Sequence, residues 1–172
     1  VSKLLPLMRE AGVAAIANPL INITLQGRSD TYPKRRGMTR VPELLAAGID
    51  VAFGHDCVMD PWYSLGSGDM LEVAHMGLHV AQMTGQDAMR QCFAAVTEAP
   101  ARILGLERYG ITPGCHADLM VLDARDPIEA IRLRATRTLV MRRGQVVART
   151  PAPHAALSLP GRPAHVDFRV PQ

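Results

Sequence analysis

The sequence has few aromatic residues: three phenylalanines, three tyrosines and one tryptophan, Trp62, in 172 residues. Basic and aromatic residues do not interleave as they do where a protein stacks single-stranded bases, so nucleic-acid binding is the weaker reading. Cysteine is scarce too. Cys57, Cys92 and Cys115 are odd in number and irregularly spaced, which fits neither a disulfide framework nor a CxxC zinc site and predicts reduced thiols. No apolar run approaches the roughly 18 residues of a membrane span, and there is neither a basic-then-apolar leader nor an initiator methionine. The expectation is a cytoplasmic protein with no membrane partner, and a piece of a longer chain. Charge of one sign is also lacking. The net charge is +3, and the basic residues are dispersed except in PKRRG at 33–37, a short loop expected to face solvent. What remains, 48% hydrophobic and 20% charged residues, is the ordinary composition of a globular chain able to bury one core.

The hydrophobic pattern of the first hundred residues alternates between two periods. Apolar residues at Val1, Leu4, Leu5 and Met8 predict a helix over 1–11 stopped by Gly12, and 13–17 reads as a short buried strand. Residues 18–39 are rich in turn formers and read as a long polar loop, which inside a compact domain is usually functional. A short helix over 41–47, with Pro42 tolerated in its first turn, ends at Gly48. A second apolar strand over 49–54 runs into His55 and Asp56. Helices are predicted over 69–83 and 86–104. Helix and strand in this order mean parallel βα units.

Beyond Gly105 the texture becomes β-prone. Runs at 117–122, 139–141 and 145–148, the last two joined by a tight Arg143-Gly144 turn, predict a small all-β unit. The tail over 150–172 reads as an irregular arm with one strand over 165–170. The domain division is therefore 1–105 and 106–172. Two βα units cannot make a sheet with both faces covered, which again points to the C-terminal part of a larger α/β enzyme.

In parallel α/β folds, ligands gather where strands end at their C-terminal face. His55 and Asp56 occupy such an end in FGHDCVMDPW, residues 53–62. An aspartate there can ligate a divalent metal and take a proton from its water; equally, it can cap the turn that follows. His75 and His79 share a helix face at i and i+4, but Glu72 precedes them, so HExxH is absent and satisfied core histidines are the better reading. Cys57 has no evident partner that would make it a nucleophile. Cys92 reads as core and Cys115 as incidental. Trp62 can wall a flat heterocycle's pocket or plug the mouth of a barrel.

Three stretches, NPLINITLQGRSDTYPKRRGMTRVPELL, FGHDCVMDPWYSLGSGDMLEVAHMGLHV and YGITPGCHADLMVLD, closely resemble the C-terminal half of the bacterial cytosine deaminases of the amidohydrolase superfamily. The similarity runs to about Thr150. ITPGxxADLMVLD is general to amidohydrolases, whereas QGRSDTYPKRRG and GHDxVxDPW are narrower.

The resemblance implies an α/β fold: the C-terminal part of a (β/α)8 barrel plus strands of a small β-sandwich. It implies one divalent metal ion, Fe2+ or Zn2+, activating water for attack on the amino-bearing carbon of a free pyrimidine base. Asp56 matches the metal-binding, proton-shuttling aspartate at the end of the eighth strand, and His55 and Trp62 match residues beside the substrate. The HxH pair, two further histidines and a catalytic glutamate of the family would precede Val1, so the chain alone is expected to be inactive and the full-length enzyme a homo-oligomer. Cys57 departs from the pattern, because the family commonly has a second aspartate there. A thiol is smaller and normally uncharged, which favours a 5-substituted cytosine such as 5-methylcytosine over cytosine; neutral drift with cytosine retained is the alternative. Other readings are a deaminase of isoguanine or a creatinine-like ring, and a non-catalytic binding or assembly module.

Overall fold

The computed structural model describes residues 3–168, and these divide into two compact units, Val1–Glu107 and Arg108–Gln172. In the first unit the elements run α1 (Leu4–Glu10), β1 (Ala15–Ala17), α2 (Pro19–Leu25), α3 (Val41–Ala46), β2 (Val51–Phe53), α4 (Met70–Val80), α5 (Gln86–Ala94) and α6 (Glu98–Ile103). The two strands pair in parallel, Ala15 with Val51, Ile16 with Ala52 and Ala17 with Phe53. All three residues of β2 are buried, as expected of a parallel strand covered on both faces. Helix α4 packs against β2 and carries Leu71, Val73, Ala74, Gly77 and Leu78 as its buried face. The approach is close: a Cβ at Gly77 would lie 2.5 Å from the Phe53 ring, so a side chain there would force core residues off their rotamers. Asp69 caps α4 by accepting from the Leu71 N–H at 2.7 Å.

Three expectations for this unit need correction. The strand read as buried over 13–17 is β1, of which only Ala17 is buried while Ile16 is 58% exposed. The span read as a loop over 18–39 contains α2, whose residues Pro19, Leu20 and Ile21 are buried and which packs against α4. The β-branched run Ile21, Ile23, Thr24 argues against a helix by propensity, but burial outweighs it, and Pro19 is the missed start signal at the first helical position. The helix predicted over 86–104 is two helices, broken at Thr97, whose φ of −128° and ψ of −80° leave the helical region. Pro100 explains the break. It has no N–H to donate to the carbonyl four residues back, so it is tolerated only in the first turn of a new helix.

The second unit is a three-stranded antiparallel sheet in the order β3 (Leu119–Leu122), β4 (Arg137–Arg142), β5 (Gln145–Arg149). Arg143 and Gly144, both with positive φ, turn β4 into β5. The all-β expectation missed α7 (Pro127–Leu133), inserted between β3 and β4. Its start signal stands in the sequence as DPIE: the Asp126 carboxylate accepts from the Glu129 N–H at 2.9 Å, with Pro127 at the first helical position. That is an N-cap followed three residues later by glutamate. In the tail, the predicted strand over 165–170 is reduced to an isolated bridge between His165 and Ala156, and residues 169 and 170 lie outside the described residues, as does Val1 of the first predicted helix. No helix among the described residues is long and apolar enough to cross a membrane.

Candidate active site

Parallel pairing of β1 and β2 sets their C-terminal ends side by side. The Gly54 N–H donates to the Ala17 carbonyl at 2.9 Å, extending the ladder by one bond. Past that point each strand releases a polar side chain: Asn18 from β1 and Asp56 from β2. The Asn18 amide donates to Asp56 Oδ2 at 3.1 Å, across 38 residues of sequence. Asp56 is exposed and has a left-handed backbone, φ 66°, a conformation that aspartate tolerates better than most residues. The chain therefore turns sharply out of the strand, and the carboxylate stands at the rim.

The flanking residues build this turn. His55 Nδ1 lies 2.9 Å from the Cys57 carbonyl. A carbonyl only accepts, so Nδ1 carries the proton and the neutral ring has a bare Nε2. That Nε2 is buried without a hydrogen-bond partner, covered by Gly66, where a Cβ would collide with the imidazole. The Tyr63 ring, itself buried, lies 6.4 Å from the imidazole, centroid to centroid, in a tilted arrangement. Asp60 closes the loop by accepting from the N–H groups of Trp62 and Tyr63, both at 2.9 Å. These amides, together with the Cys57 thiol, hold its carboxyl below the usual range, the Tyr63 amide most of all.

Cys57 is half-buried and donates to Asp56 Oδ1 at 3.4 Å. Its thiol is pushed up to about 12, first by a hydrogen bond to Asp60, then by desolvation and by Asp56. A thiol wedged between two carboxylates remains protonated and is unsuited to nucleophilic attack. Trp62 is 67% exposed, its ring at the surface beside this loop. The His75 and His79 rings lie 4.6 Å apart on α4, tilted by 54°, with His79 Nδ1 donating to the His75 carbonyl at 2.7 Å. His79 is exposed rather than part of the core.

The site thus joins His55, Asp56, Cys57 and Trp62 on one loop with Asn18 from the neighbouring strand. Sequence reasoning missed Asn18, Gly54, Asp60 and Gly66. The available signal for Asn18 was an Asn-Pro pair directly after the first predicted strand, a position equivalent to that of His55 and Asp56 after β2. Asp56 suits a hard cation as one oxygen donor. Among the described residues, no group of three or more His, Cys, Asp or Glu side chains could hold a metal ion.

A short parallel sheet flanked by helices, with polar residues released at the strand ends, is a mixed α/β arrangement of the kind that gathers ligands at its strand ends. The amidohydrolase family model matches residues 1–148, and the chain belongs to this family. It is 33% identical over 146 residues to a pterin deaminase of Rhizobium rhizogenes, covering 84% of this chain and 33% of that one. With N-isopropylammelide isopropyl amidohydrolase of a Pseudomonas species it shares 33% identity over 110 residues, 63% of this chain and 27% of the other. The crystal structure of 5-methylcytosine deaminase from Klebsiella pneumoniae with 5-fluorocytosine superimposes with a TM-score of 0.86 at 42% identity, over 91% of this chain and 38% of that one. The chain spans about a third of the length of the curated relatives it matches.

Proposed function

We propose that the protein carrying this chain hydrolytically deaminates a cytosine-type free base, cytosine or a 5-substituted cytosine such as 5-methylcytosine, to the uracil-type product and ammonia. The observation that carries this reading is the 42% identity over 91% of the chain with a 5-methylcytosine deaminase. On this reading the first unit contributes the last βα units of a (β/α)8 barrel and the second unit part of a small β-sandwich. Asp56 takes a proton from the attacking water and returns it to the departing amine. Water adds at the amino-bearing carbon, the C–N bond breaks and ammonia leaves. Asp56 would help hold a divalent ion, iron or zinc, which would supply Lewis acidity and lower the pKa of water to about 7. Asp56 is the one ligand we assign to that ion from this chain.

His55, Cys57 and Trp62 are the residues we assign to the substrate side. His55 acts from beneath by holding the Cys57 carbonyl, Cys57 presents an uncharged edge, and Trp62 offers an apolar plate. An aspartate at position 57 would put a third carboxylate beside Asp56 and Asp60. The thiol avoids that and leaves room for a 5-methyl group. We further read the full-length protein as a cytoplasmic homo-oligomer.

A second reading, deamination of another aminoheterocycle, is favoured by the match to a pterin deaminase over 84% of the chain. The deciding experiment measures kcat/KM of the full-length protein for cytosine, 5-methylcytosine, isoguanine and pterin, with Cys57→Asp alongside. The expected result is a preference for 5-methylcytosine that shifts about tenfold toward cytosine in Cys57→Asp. Strong preference for cytosine in both proteins ends the Cys57 argument, and preference for pterin or isoguanine ends the cytosine reading.

A further inference from the structure

Asn18 occupies the N-cap position of α2, where an asparagine side chain ordinarily accepts from a backbone N–H two or three residues on. It makes no such bond here. Its amide points across the sheet and donates to Asp56 Oδ2 at 3.1 Å. The approach is prepared from both strands. Ala17 and Phe53 pair in register, Gly54 donates to the Ala17 carbonyl, and a Cβ at position 54 would run into Asn18 Oδ1 and come within 3.1 Å of Ile16. Asp56 has left the extended conformation of β2, so the ladder does not set the direction of its carboxylate. Its two side-chain contacts are the Asn18 amide at Oδ2 and the longer one from the Cys57 thiol, its sequence neighbour, at Oδ1.

We propose that Asn18 is a positioning residue for Asp56. It holds the carboxylate in one rotation through Oδ2 while the Cys57 thiol meets Oδ1, and the lone pairs left over face the reaction from a fixed direction. An amide suits this task because it orients a carboxylate without adding charge, whereas a lysine or arginine would neutralise it. The inference rests on the reading of Asp56 under Proposed function. The competing account makes Asn18 an ordinary N-cap, whose loss would lower stability and leave the chemistry intact.

The test uses the full-length protein. Asn18→Ala is expected to lower kcat about 10- to 100-fold, the usual cost of removing a group that orients a metal-ligating side chain. KM should stay within about twofold, and Tm should move by no more than about 2 °C because no cap bond is lost. Asn18→Asp, the same size without the donor, should be at least as damaging, since it sets a second carboxylate against Asp56. Independently of turnover, the side-chain amide resonances of Asn18 should shift when Asp56 is replaced by alanine in metal-free protein. The inference is overturned if Asn18→Ala keeps kcat within twofold while Asp56→Ala is inactive, if it lowers Tm without lowering kcat, or if the amide resonances do not move. If Asp56→Ala retains the full rate, the reading of Asp56 fails and the positioning role with it; an amide shift would then report only a structural contact.

Discussion

Asp118 and Glu129 of the second unit are held differently from Asp56 of the first, although the first unit also has a carboxylate clamped by guanidinium, Asp30 by Arg35. In the second unit Asp118 is clamped by Arg142 and by the Arg143 N–H at 2.6 Å, with the Arg143 guanidinium at 3.9 Å. Glu129, almost fully buried, accepts from the Arg125 backbone and guanidinium and has Arg132 at 3.9 Å. Both groups are thereby held below the usual carboxylate range, Asp118 chiefly by the Arg143 amide and Glu129 chiefly by the Arg125 side chain. Asp56 in the first unit has neutral hydrogen-bond partners, an amide and a thiol. A carboxylate already matched by guanidinium holds structure together, whereas one steadied by neutral groups is, on the function proposed above, the one left for a ligand.

The strongest test of that contrast exchanges the carboxylates one at a time in the full-length protein. Asp56→Ala should reduce kcat/KM on the order of a thousandfold or more, while Asp118→Asn and Glu129→Gln should stay within about threefold. Comparable losses at all three positions would erase the distinction. Of similar size is the expectation for the 172-residue chain on its own, which should neither take up a stoichiometric metal ion nor turn over cytosine, because a catalytic site needs three or more protein ligands. Measurable turnover by the purified chain would refute this.

Two glycines give a smaller contrast. Gly54→Ala sets a methyl group against Asn18 and Ile16 and should cost about 1–3 kcal/mol in addition to lost activity. Gly144→Ala meets open space at φ 79° and should cost about 1 kcal/mol through backbone strain alone, with activity kept. Urea titration with parallel assays would separate them, and an active Gly54→Ala protein would contradict the crowding at the strand ends.

The smallest effect concerns pH. Glu129 and Asp118 are depressed in the folded chain, so their contribution to stability is present above the unfolded carboxylate values of roughly 4 and is lost as pH falls through the lower folded values. Glu129→Gln should therefore flatten the acid limb of the urea midpoint below about pH 4. An unchanged acid limb would mean that the Arg125 clamp does not carry the acid sensitivity.

Much of the architecture could be read from local pattern. Alternating helix and strand periods, the glycine stops and the Arg143-Gly144 turn each report a short stretch of backbone. The failures share a cause. Helix α2 was hidden by β-branched residues whose burial against α4 overrides their propensity. The division at Thr97 depended on what Pro100 could not donate. The Asp-Pro-Ile-Glu start of α7 was legible but masked by the β-prone runs on either side.

The sequence by itself determined the family, the parallel βα order and the position of His55, Asp56, Cys57 and Trp62 at a strand end, because motif and periodicity are properties of neighbours along the chain. Only the tertiary structure brought Asn18 to Asp56, buried His55 Nε2 beneath Gly66 and wedged Cys57 between two carboxylates. Strand register is set by hydrogen bonds between distant segments, and which side chains meet at the strand ends follows from it.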